Sequence, residues 1–387
     1  MQTLYMAAIF VITAIFGALN FYIGLRGWQA FSGWLPPNAG YIYWPVFFLA
    51  AFSYPLGRFG SGFFSGSLGA KLQIFGSYWL GLMYYLIIIL VVIDLIRVLD
   101  KFFGFVPQAV KTPELLGLAV VVLVAGILIY GTWNAHNPQV VTYDLEINKP
   151  AGAIEEMKVV MVSDIHLGTI VHNSRLSSMV DTVNSLEPDL VLLPGDIIDE
   201  NINPFIEQKM AATFLRLAPR FGTYAVLGNH EYIGGHVEAT IQHLREANII
   251  LLRDQKVLIE DSFYIVGRDE QMRRQFNQDS RLDMAALLED VDQAKPIIVM
   301  SHQPVDLDEA EAQGADLQVS GHTHLGQLSP NQLVTRKLFE IDYGYLKKDT
   351  LQVIVSSGFG TWGPPIRIGN TPEIVQINIK FNERAEA

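Results

Sequence analysis

The sequence of 387 residues contains no cysteine, and only 17% of its residues are charged. The absence of cysteine excludes disulfides, thiolate metal sites and thiol nucleophiles. Charge is scarcest in residues 1–133, which contain six Lys or Arg and three Asp or Glu, whereas the rest of the chain contains 21 and 36. Because nucleic acids are bound by clustered basic side chains, we expect this acidic second part to have no nucleic-acid partner.

Apolar sequence is abundant, since half of all residues are hydrophobic. Four apolar runs, at about residues 1–25, 41–57, 72–96 and 114–133, show no polar stripe at helical spacing. About 20 such residues are enough for a helix to span a bilayer. The second run is the weakest, because it is shorter and contains Pro45 and Pro55. We predict an N-terminal α-helical transmembrane bundle of four spans over residues 1–133, in an integral, multi-pass protein of the cell membrane.

Basic residues of this region are concentrated on one set of connections. Four spans place residues 26–40 and 97–111 on one side of the membrane, and residues 58–71 on the other. The first side has four basic residues and the second has two: Arg26, Arg97, Lys101 and Lys111 against Arg58 and Lys71. Basic loops tend to stay in the cytoplasm, so we expect the C-terminal domain to be extracytoplasmic. Asp94 and Arg97, three residues apart, are expected to form an interfacial pair.

The second part of the chain alternates short apolar runs with amphipathic stretches. We predict a linker and first strand over residues 134–154, an α/β domain over 155–380 and a tail over 381–387. Predicted strands include 158–163, 189–194, 223–227, 296–300 and 316–320, and predicted helices include 173–186, 205–217 and 282–291. Alternation of this kind indicates largely parallel central strands.

Chemically similar side chains follow five of these predicted strands. In chain order the segments are Asp164-Ile165-His166, Gly195-Asp196 with Asp199, Gly228-Asn229-His230-Glu231, Ser301-His302 and Gly321-His322-Thr323-His324. In open α/β sheets, ligands bind beyond the carboxyl ends of the strands. Each segment alone is a weak signal, but five turns of this composition at one edge are poorly explained by chance. The sequence therefore predicts a binding site at that edge.

The donor types in these segments favour divalent cations. Imidazole, carboxylate and amide donors without thiolate suit Mn, Zn or Fe. Two Asp, one Asn and four His are too many ligands for one tetrahedral ion and enough for two ions that share a carboxylate. Two such ions can activate a water as hydroxide and clamp a phosphoryl group during in-line displacement.

The combined motifs DxH, GDxxD, GNHE, an isolated His and GHTH resemble those of the calcineurin-like metallophosphoesterases, over about residues 155–380. The resemblance implies an α/β four-layer sandwich of two sheets flanked by helices. It also implies one cation held by Asp164, His166, Asp196 and His324, and a second held by Asp196, Asn229, His302 and His322. His230 would take the position of the catalytic histidine that assists the leaving group, with Asp199 orienting it.

Within that superfamily, GHTHLGQ and the preceding apolar runs look most like bacterial membrane-associated members. Their common form is GHTHGGQ, and Leu325 replaces the first of those glycines. The implied function is hydrolysis of a phosphomonoester or phosphodiester. A lipid-linked substrate, such as a UDP-diacylglucosamine-like compound or a phospholipid headgroup, is one candidate by analogy. The alternative is a transporter or sensor whose phosphoesterase-like domain binds a ligand without catalysis; the oligomeric state stays open.

Other polar residues carry weaker signals. His136, His172, His236 and His243 match no motif, and we expect surface or packing roles for them. Arg268 and Asp269 follow the predicted strand 263–266, where a solvated loop is the favoured interpretation over contact with a substrate phosphate.

Overall fold

The computed structural model describes residues 2–59, 66–276 and 279–382. Met1 of the first predicted span and residues 383–387 of the predicted tail lie outside the described residues. The chain divides into two compact units. The helical unit comprises Met1–Thr132 with Gly363–Ile366, and the α/β unit comprises Trp133–Trp362 with Arg367–Ala387.

The first part of the chain forms five α-helices in the described residues: α1 Gln2–Phe31, α2 Gly40–Ala51, α3 Ser53–Phe59, α4 Ser67–Phe103 and α5 Pro113–Ala135. Among the described residues, three helices are long and apolar enough to cross a membrane, at Phe10–Trp34, Ser67–Phe103 and Pro113–Ala135. These correspond to the first, third and fourth predicted spans.

The second predicted span, at 41–57, is the one that the structure does not reproduce as a single long helix. It is divided into α2 and α3 at Phe52, whose N–H bonds to Phe48 O and Ala50 O. The 12 residues of α2 rise about 18 Å, less than the roughly 30 Å of a hydrocarbon core. Pro45 lies inside α2 and has no N–H to donate, which weakens this helix. Where four spans were predicted, the described residues therefore form three membrane-length helices and one shorter apolar helix, Gly40–Ala51.

Contacts within the helical unit define the directions of its helices. The Tyr43 hydroxyl in α2 donates to Gly24 O in α1 (2.7 Å). Arg26, near the end of α1, forms an ion pair with Asp94, near the end of α4. The corresponding ends of α1 and α4 therefore lie together, so these two helices run in the same direction.

The α/β unit contains the strands, which in the described part of the chain form two six-stranded sheets. Sheet 1 has the order β1-β12-β2-β3-β4-β5, and sheet 2 the order β10-β11-β9-β8-β7-β6. The bounds are β1 Gln139–Ile147, β2 Glu156–Met161, β3 Leu190–Pro194, β4 Thr223–Val226, β5 Ile249–Leu251, β6 Gln255–Ile259, β7 Phe263–Gly267, β8 Ile297–Met300, β9 Leu317–Ser320, β10 Gly344–Lys348, β11 Leu351–Val355 and β12 Glu373–Phe381.

Pairing is parallel in the centre of both sheets, from β2 to β5 and from β7 through β8 and β9 to β11. Antiparallel pairs join β12 to β2, β6 to β7 and β10 to β11, so both sheets are mixed. The helices of this unit are α6 Asn173–Ser185, α7 Asn203–Glu207, α8 Met210–Phe214, α9 Asn229–Ile233, α10 Val237–Glu246, α11 Met284–Leu287, α12 Leu307–Ala312 and α13 Gln332–Leu338.

Three apolar clusters define the layers of the unit. One joins the inner faces of the two sheets, with Val159 of β2 and Ile298 of β8 among its members. A second joins the outer face of sheet 1 to helices that include α6 and α10, and a third joins sheet 2 to α11 and α12. The prediction of two sheets flanked by helices is therefore confirmed.

Two predicted helices are shorter than expected. The predicted helix 205–217 is divided into α7 and α8, because Lys209 between them has a left-handed backbone (φ 54°). Asp283 begins α11, with its side chain accepting a hydrogen bond from Ala286 N, and the helix lasts only four residues. Glu289 and Asp290 follow the C-cap residue Leu288, and negative charge at the end of a helix disfavours its extension.

Candidate metal centre

The nine predicted site residues lie beyond the carboxyl ends of five strands, three from sheet 1 and two from sheet 2. Those strands are β2, β3, β4, β8 and β9. Five of the nine have a left-handed backbone, with φ between 49° and 71°: Asp164, His166, Asp196, His322 and His324. Non-glycine residues adopt this conformation at a cost of about 1–3 kcal/mol each. The folded domain therefore holds these loops in a conformation that their own backbone preferences oppose.

Close backbone packing at the site requires glycine at two positions. A Cβ at Gly228 would overlap Asp196 Oδ1, and a Cβ at Gly321 would overlap Asp164 Oδ2. The glycines of the GNHE and GHTH segments thus let two strand ends approach the carboxylates of two others.

Asp196 occupies the centre of the site. Its Oδ1 accepts a hydrogen bond from His230 N (2.9 Å). Its Oδ2 lies 3.3 Å from His302 Nε2 and 3.7 Å from His166 Nε2. One carboxylate oxygen therefore faces imidazoles on both sides, which is the arrangement expected of a ligand that two cations share.

On one side of Asp196 are Asp164, His166 and His324, which with Asp196 we call the His166 site. His166 Nε2 lies 3.0 Å from His324 Nε2, and the latter lies 3.4 Å from Asp164 Oδ1. The ligating atoms of Asp164, His166 and His324 all lie within 4.8 Å of one another. All four residues are buried.

On the other side are Asn229, His302 and His322, which with Asp196 we call the His302 site. Asn229 Oδ1 lies 3.1 Å from His302 Nε2 and 2.9 Å from His322 Nδ1. His302 Nδ1 lies 2.9 Å from Pro194 O. A carbonyl oxygen can only accept, so this contact places a proton on Nδ1 of His302. In the neutral ring, Nε2 is then a lone pair aimed at the other acceptors of the site.

Three of the four candidate ligand imidazoles are held in the neutral form, whereas for the fourth, His302, burial is outweighed by Asp196 and Asp164, which raise its pKa well above its ordinary value. Burial, with a smaller effect from His230, lowers the pKa of His166 to about 4. Burial and the neighbouring His302 lower the pKa of His322 to about 3. Burial, His166 and Arg367 lower the pKa of His324 well below its ordinary value. Neutral imidazole is the form that binds a metal ion.

These observations fit a pair of divalent cations. His166 Nε2 and His302 Nε2 both face Asp196 Oδ2, so imidazole nitrogens from both sites lie around one carboxylate oxygen. His166 Nδ1 is buried without a hydrogen-bond partner in the described part of the chain. The donor set of nitrogen and oxygen atoms, without sulfur, suits Mn, Zn or Fe.

His230 and Asp199 form a pair beside the His166 site. His230 Nδ1 lies 3.1 Å from Asp199 Oδ1, and the His230 and His166 rings meet edge to face, with centroids 4.6 Å apart. Burial alone would lower the pKa of His230, but Asp196 and Asp199 outweigh it and raise this pKa. The pair is arranged to hold a proton on the side of His230 that faces Asp199.

Glu231 supports the loops around the site. Its Oε2 accepts hydrogen bonds from Gly228 N (2.7 Å) and Asp196 N (3.2 Å), and its Oε1 accepts from Ile198 N (2.9 Å). One buried carboxylate therefore ties the loop after β3 to the loop after β4.

Arg367 was not identified from the sequence. It is fully buried, and its Nη2 lies 3.2 Å from His324 Nδ1. Its guanidinium also donates to three carbonyls, Ser357 O (2.7 Å), Gly358 O (3.0 Å) and Gly360 O (2.7 Å). Arg367 thus fixes the 357–360 loop against the His166 site. No motif surrounds it, and its burial is visible only in the folded chain.

The GHTHLGQ segment connects the site to an exposed aromatic side chain. Gln327 Nε2 donates to Trp362 O and Trp362 N donates to Gln327 Oε1, both at 2.8 Å. The Trp362 ring lies 6.1 Å from the His230 ring and is 56% exposed. Leu325, in the glycine position, has φ 45° and ψ 42°, a left-handed conformation that glycine adopts without strain. Leu325 therefore adopts a backbone conformation typical of glycine, at a local cost.

Of the remaining residues singled out in the sequence, His136, His172 and His236 are exposed, and His243 pairs with Glu246 on the surface. All four lie outside the candidate ligand groups of the described residues.

The prediction of a solvated loop at Arg268 and Asp269 is wrong, since these residues are only 2% and 1% exposed. Asp269 accepts hydrogen bonds from the Tyr232 hydroxyl (2.6 Å), Arg253 Nε (3.0 Å) and Arg273 Nη1 (2.8 Å). This network of paired charges makes burial of the polar loop tolerable.

Comparison with known proteins agrees with this geometry. The family model "Calcineurin-like phosphoesterase" matches residues 157–326. An uncharacterized metallophosphoesterase of Aquifex aeolicus is 33% identical over 241 residues, which cover 62% of this chain and 90% of that protein. An uncharacterized metallophosphoesterase of Campylobacter jejuni is 29% identical, covering 73% of this chain and 72% of that protein.

A zebrafish protein named "Transmembrane protein with metallophosphoesterase domain" is 30% identical over 270 residues. The match covers 67% of this chain and 61% of that protein, so the chain spans about three fifths of the length of this relative. Together with the site geometry, these matches assign the family: the chain belongs to the calcineurin-like metallophosphoesterases.

Proposed function

We propose that this chain is a membrane-anchored, metal-dependent phosphoesterase that hydrolyses a phosphomonoester or phosphodiester. The observation that carries the proposal is the position of Asp196 Oδ2 between His302 Nε2 (3.3 Å) and His166 Nε2 (3.7 Å). The His166 site and the His302 site would each hold one divalent cation. When bound, the two cations would supply activation of a water molecule and neutralisation of charge at the phosphoryl group.

His230 assists departure of the leaving group in this proposal. Its Nδ1 is held by Asp199 Oδ1 (3.1 Å), so Nε2 is the nitrogen available to protonate a leaving oxygen. Asp196 and Asp199 raise the pKa of His230 against the effect of burial, which favours the protonated form that this role needs. Asp199 acts as a positioning residue for the ring.

The full chain, purified with Mn²⁺, should hydrolyse a chromogenic phosphomonoester or phosphodiester. His230→Ala should lower kcat by roughly 100-fold or more, the usual contribution of a general acid. His236→Ala is the matched control, because His236 is exposed and lies outside the ligand groups of the described residues. Unchanged hydrolysis in both His230→Ala and Asp196→Asn would contradict catalysis at this site, whereas no hydrolysis of any of these esters by the wild-type chain would favour a ligand-binding sensor or transporter.

A lipid-linked phosphoester is the substrate class we favour. Residues 133–135, the end of α5, belong to the same compact unit as the site. Asn134 Nδ2 donates to Arg367 O (3.1 Å), and Arg367 contacts the candidate ligand His324. About 30 residues separate the end of the membrane-length helix α5 from Asp164, and this short tether supports a substrate at the bilayer surface, such as a phospholipid headgroup or a UDP-diacylglucosamine-like compound.

This preference is tested with the full chain in vesicles. Hydrolysis of a phosphoester presented in the bilayer should have a higher kcat/KM than hydrolysis of the same headgroup ester as a water-soluble, short-chain compound. Equal kcat/KM for the two forms would remove the lipid preference while leaving the phosphoesterase proposal intact.

We also propose an extracytoplasmic α/β domain. If α1 and α4 both cross the membrane in the same direction, the chain between them must return, and α5 would then complete an even number of crossings. Both Arg26 and Arg97 lie near the same end of these helices. Such a side is normally cytoplasmic. A reporter fused after Ala387 should be active only if it functions outside the cytoplasm; activity of a strictly cytoplasmic reporter would reverse the orientation and make a nucleotide-linked lipid the better candidate.

A further inference from the structure

The helical unit contains a cavity of about 370 Å³ among α1, α2, α4 and α5. This volume is in the range of sites that bind small molecules. Most of its lining is apolar, with Ile23 from α1, Phe47 from α2, Leu90 from α4, and Leu116 and Val120 from α5. A wall of this composition, in a bundle of apolar helices, suits a hydrocarbon chain.

Two arginines line the same cavity. Arg26 and Arg97 both belong to its lining, in the last two turns of α1 and α4. Asp94 pairs with both of them, and also accepts a hydrogen bond from the Tyr22 hydroxyl (2.7 Å). One carboxylate between two guanidiniums leaves an excess of one positive charge in this group.

The Arg26 side chain is also incompletely satisfied. Its Nη1 donates to Gln29 Oε1 (3.0 Å) and its Nη2 to Asp94. Its Nε is buried and has no hydrogen-bond partner among the residues that the structure describes. Buried donors without acceptors are rare in folded proteins, because the lost hydrogen bond to water is not replaced. An anionic oxygen at this end of the cavity would provide the missing acceptor.

We propose that this cavity binds one acyl chain of an anionic phospholipid, with the lipid phosphate held by Arg26 and Arg97. Guanidinium groups match phosphate oxygens in both charge and geometry. The arginines lie near helix ends, where the headgroups of a bilayer are found, and the apolar lining continues from them towards the middle of the helices. This site is separate from the metal centre, and the proposal does not depend on catalysis.

The test uses the full chain, purified in detergent and stripped of lipid, with bound lipids counted by native mass spectrometry. Phosphatidylglycerol and phosphatidylcholine with identical acyl chains are compared. We expect roughly tenfold tighter binding of phosphatidylglycerol, because basic side chains near a membrane surface attract anionic headgroups. Arg97→Gln should abolish most of this preference and Arg97→Lys should retain part of it. Lys101→Gln removes an exposed charge of α4 outside the cavity and should change nothing.

The apolar part of the site has its own matched pair of variants. Val121 lines the cavity, whereas its neighbour Val122 does not. Val121→Trp should fill the cavity and weaken binding of both lipids severalfold, and Val122→Trp should leave binding unchanged. Equal affinity of the wild-type chain for the two lipids would overturn the proposal, as would an equal loss of preference in Arg97→Gln and Lys101→Gln. An equal effect of the two tryptophan variants would exclude this cavity as the acyl-chain site.

Discussion

On one side of Asp196, His302 is oriented by the contact of its Nδ1 with Pro194 O (2.9 Å). On the other side, His166 has a buried Nδ1 without a partner in the described residues. The His166 site has two carboxylates, Asp164 and Asp196, whereas the His302 site has Asp196 and the amide of Asn229. The His166 site thus has more negative charge, whereas the His302 site has an amide oxygen and an imidazole whose orientation is fixed by a backbone carbonyl.

The largest effect is expected at the carboxylate between the two sites. Asp196→Asn should lower kcat at least about 1,000-fold, because one change weakens both cation sites. Asp164→Asn should affect only the His166 site, and a high Mn²⁺ concentration should restore part of its activity. Steady-state kinetics over a Mn²⁺ titration checks both variants. Full rescue of Asp196→Asn by Mn²⁺ would contradict a shared ligand.

The next effect concerns the proton held by His230. Asp199→Asn should lower kcat by roughly 100-fold, because ring orientation is lost along with a favourable charge. Asp199 raises the pKa of His230, and removing its charge should lower that pKa. If protonated His230 assists the leaving group, activity falls as pH rises through this pKa. The alkaline limb of the kcat profile should therefore move to lower pH, and a limb that stays in place would assign it to another group.

A smaller effect is expected from the loop that supports the His166 site. Arg367→Gln should weaken binding of one of the two cations by about 10- to 100-fold, the usual effect of removing a supporting partner of a ligand. Calorimetric titration with Mn²⁺ should then resolve one weakened and one unchanged binding event. Arg367→Lys keeps the charge without the set of carbonyl contacts and should be intermediate. Equal weakening of both events would show that Arg367 does not distinguish the sites.

The smallest effect is expected at the exposed aromatic residue beside His230. Trp362→Ala should raise KM by roughly three- to tenfold with little change in kcat, the size of a typical aromatic contact. Because the ring is 56% exposed, the unfolding temperature should stay within about 2 °C of the wild type. A fall in kcat without a change in KM would indicate that Trp362 positions His230 instead of contacting substrate.

The sequence identified the strand-end segments because polar residues directly after buried strands must gather at one sheet edge. Asp164, Asp196, Asn229, His302 and His322 are of this kind. The left-handed backbone conformations of Asp164, Asp196 and His322 and the contact of His302 with Pro194 depend on neighbouring loops, and no local pattern predicts them. Short motifs thus predicted which side chains would meet, while their orientation required the fold.

Other features could not be predicted because they result from long-range packing. Arg367 meets His324 across 43 residues of sequence, and the buried environment of Asp269 is created by Tyr232, Arg253 and Arg273. The second apolar run has the composition of a span, but Pro45 and the break at Phe52 limit it to shorter helices. Composition alone does not show where the helix formed by such a run ends.

Metal content provides the most direct test of the central claim that two cations share Asp196. The full chain, loaded with Mn²⁺ and freed of excess ion, should contain two Mn²⁺ per chain by elemental analysis. Asp164→Asn should retain one and Asp196→Asn should retain fewer than one. Two Mn²⁺ in the Asp196→Asn variant, or a single ion in the wild-type chain under saturating conditions, would contradict the account.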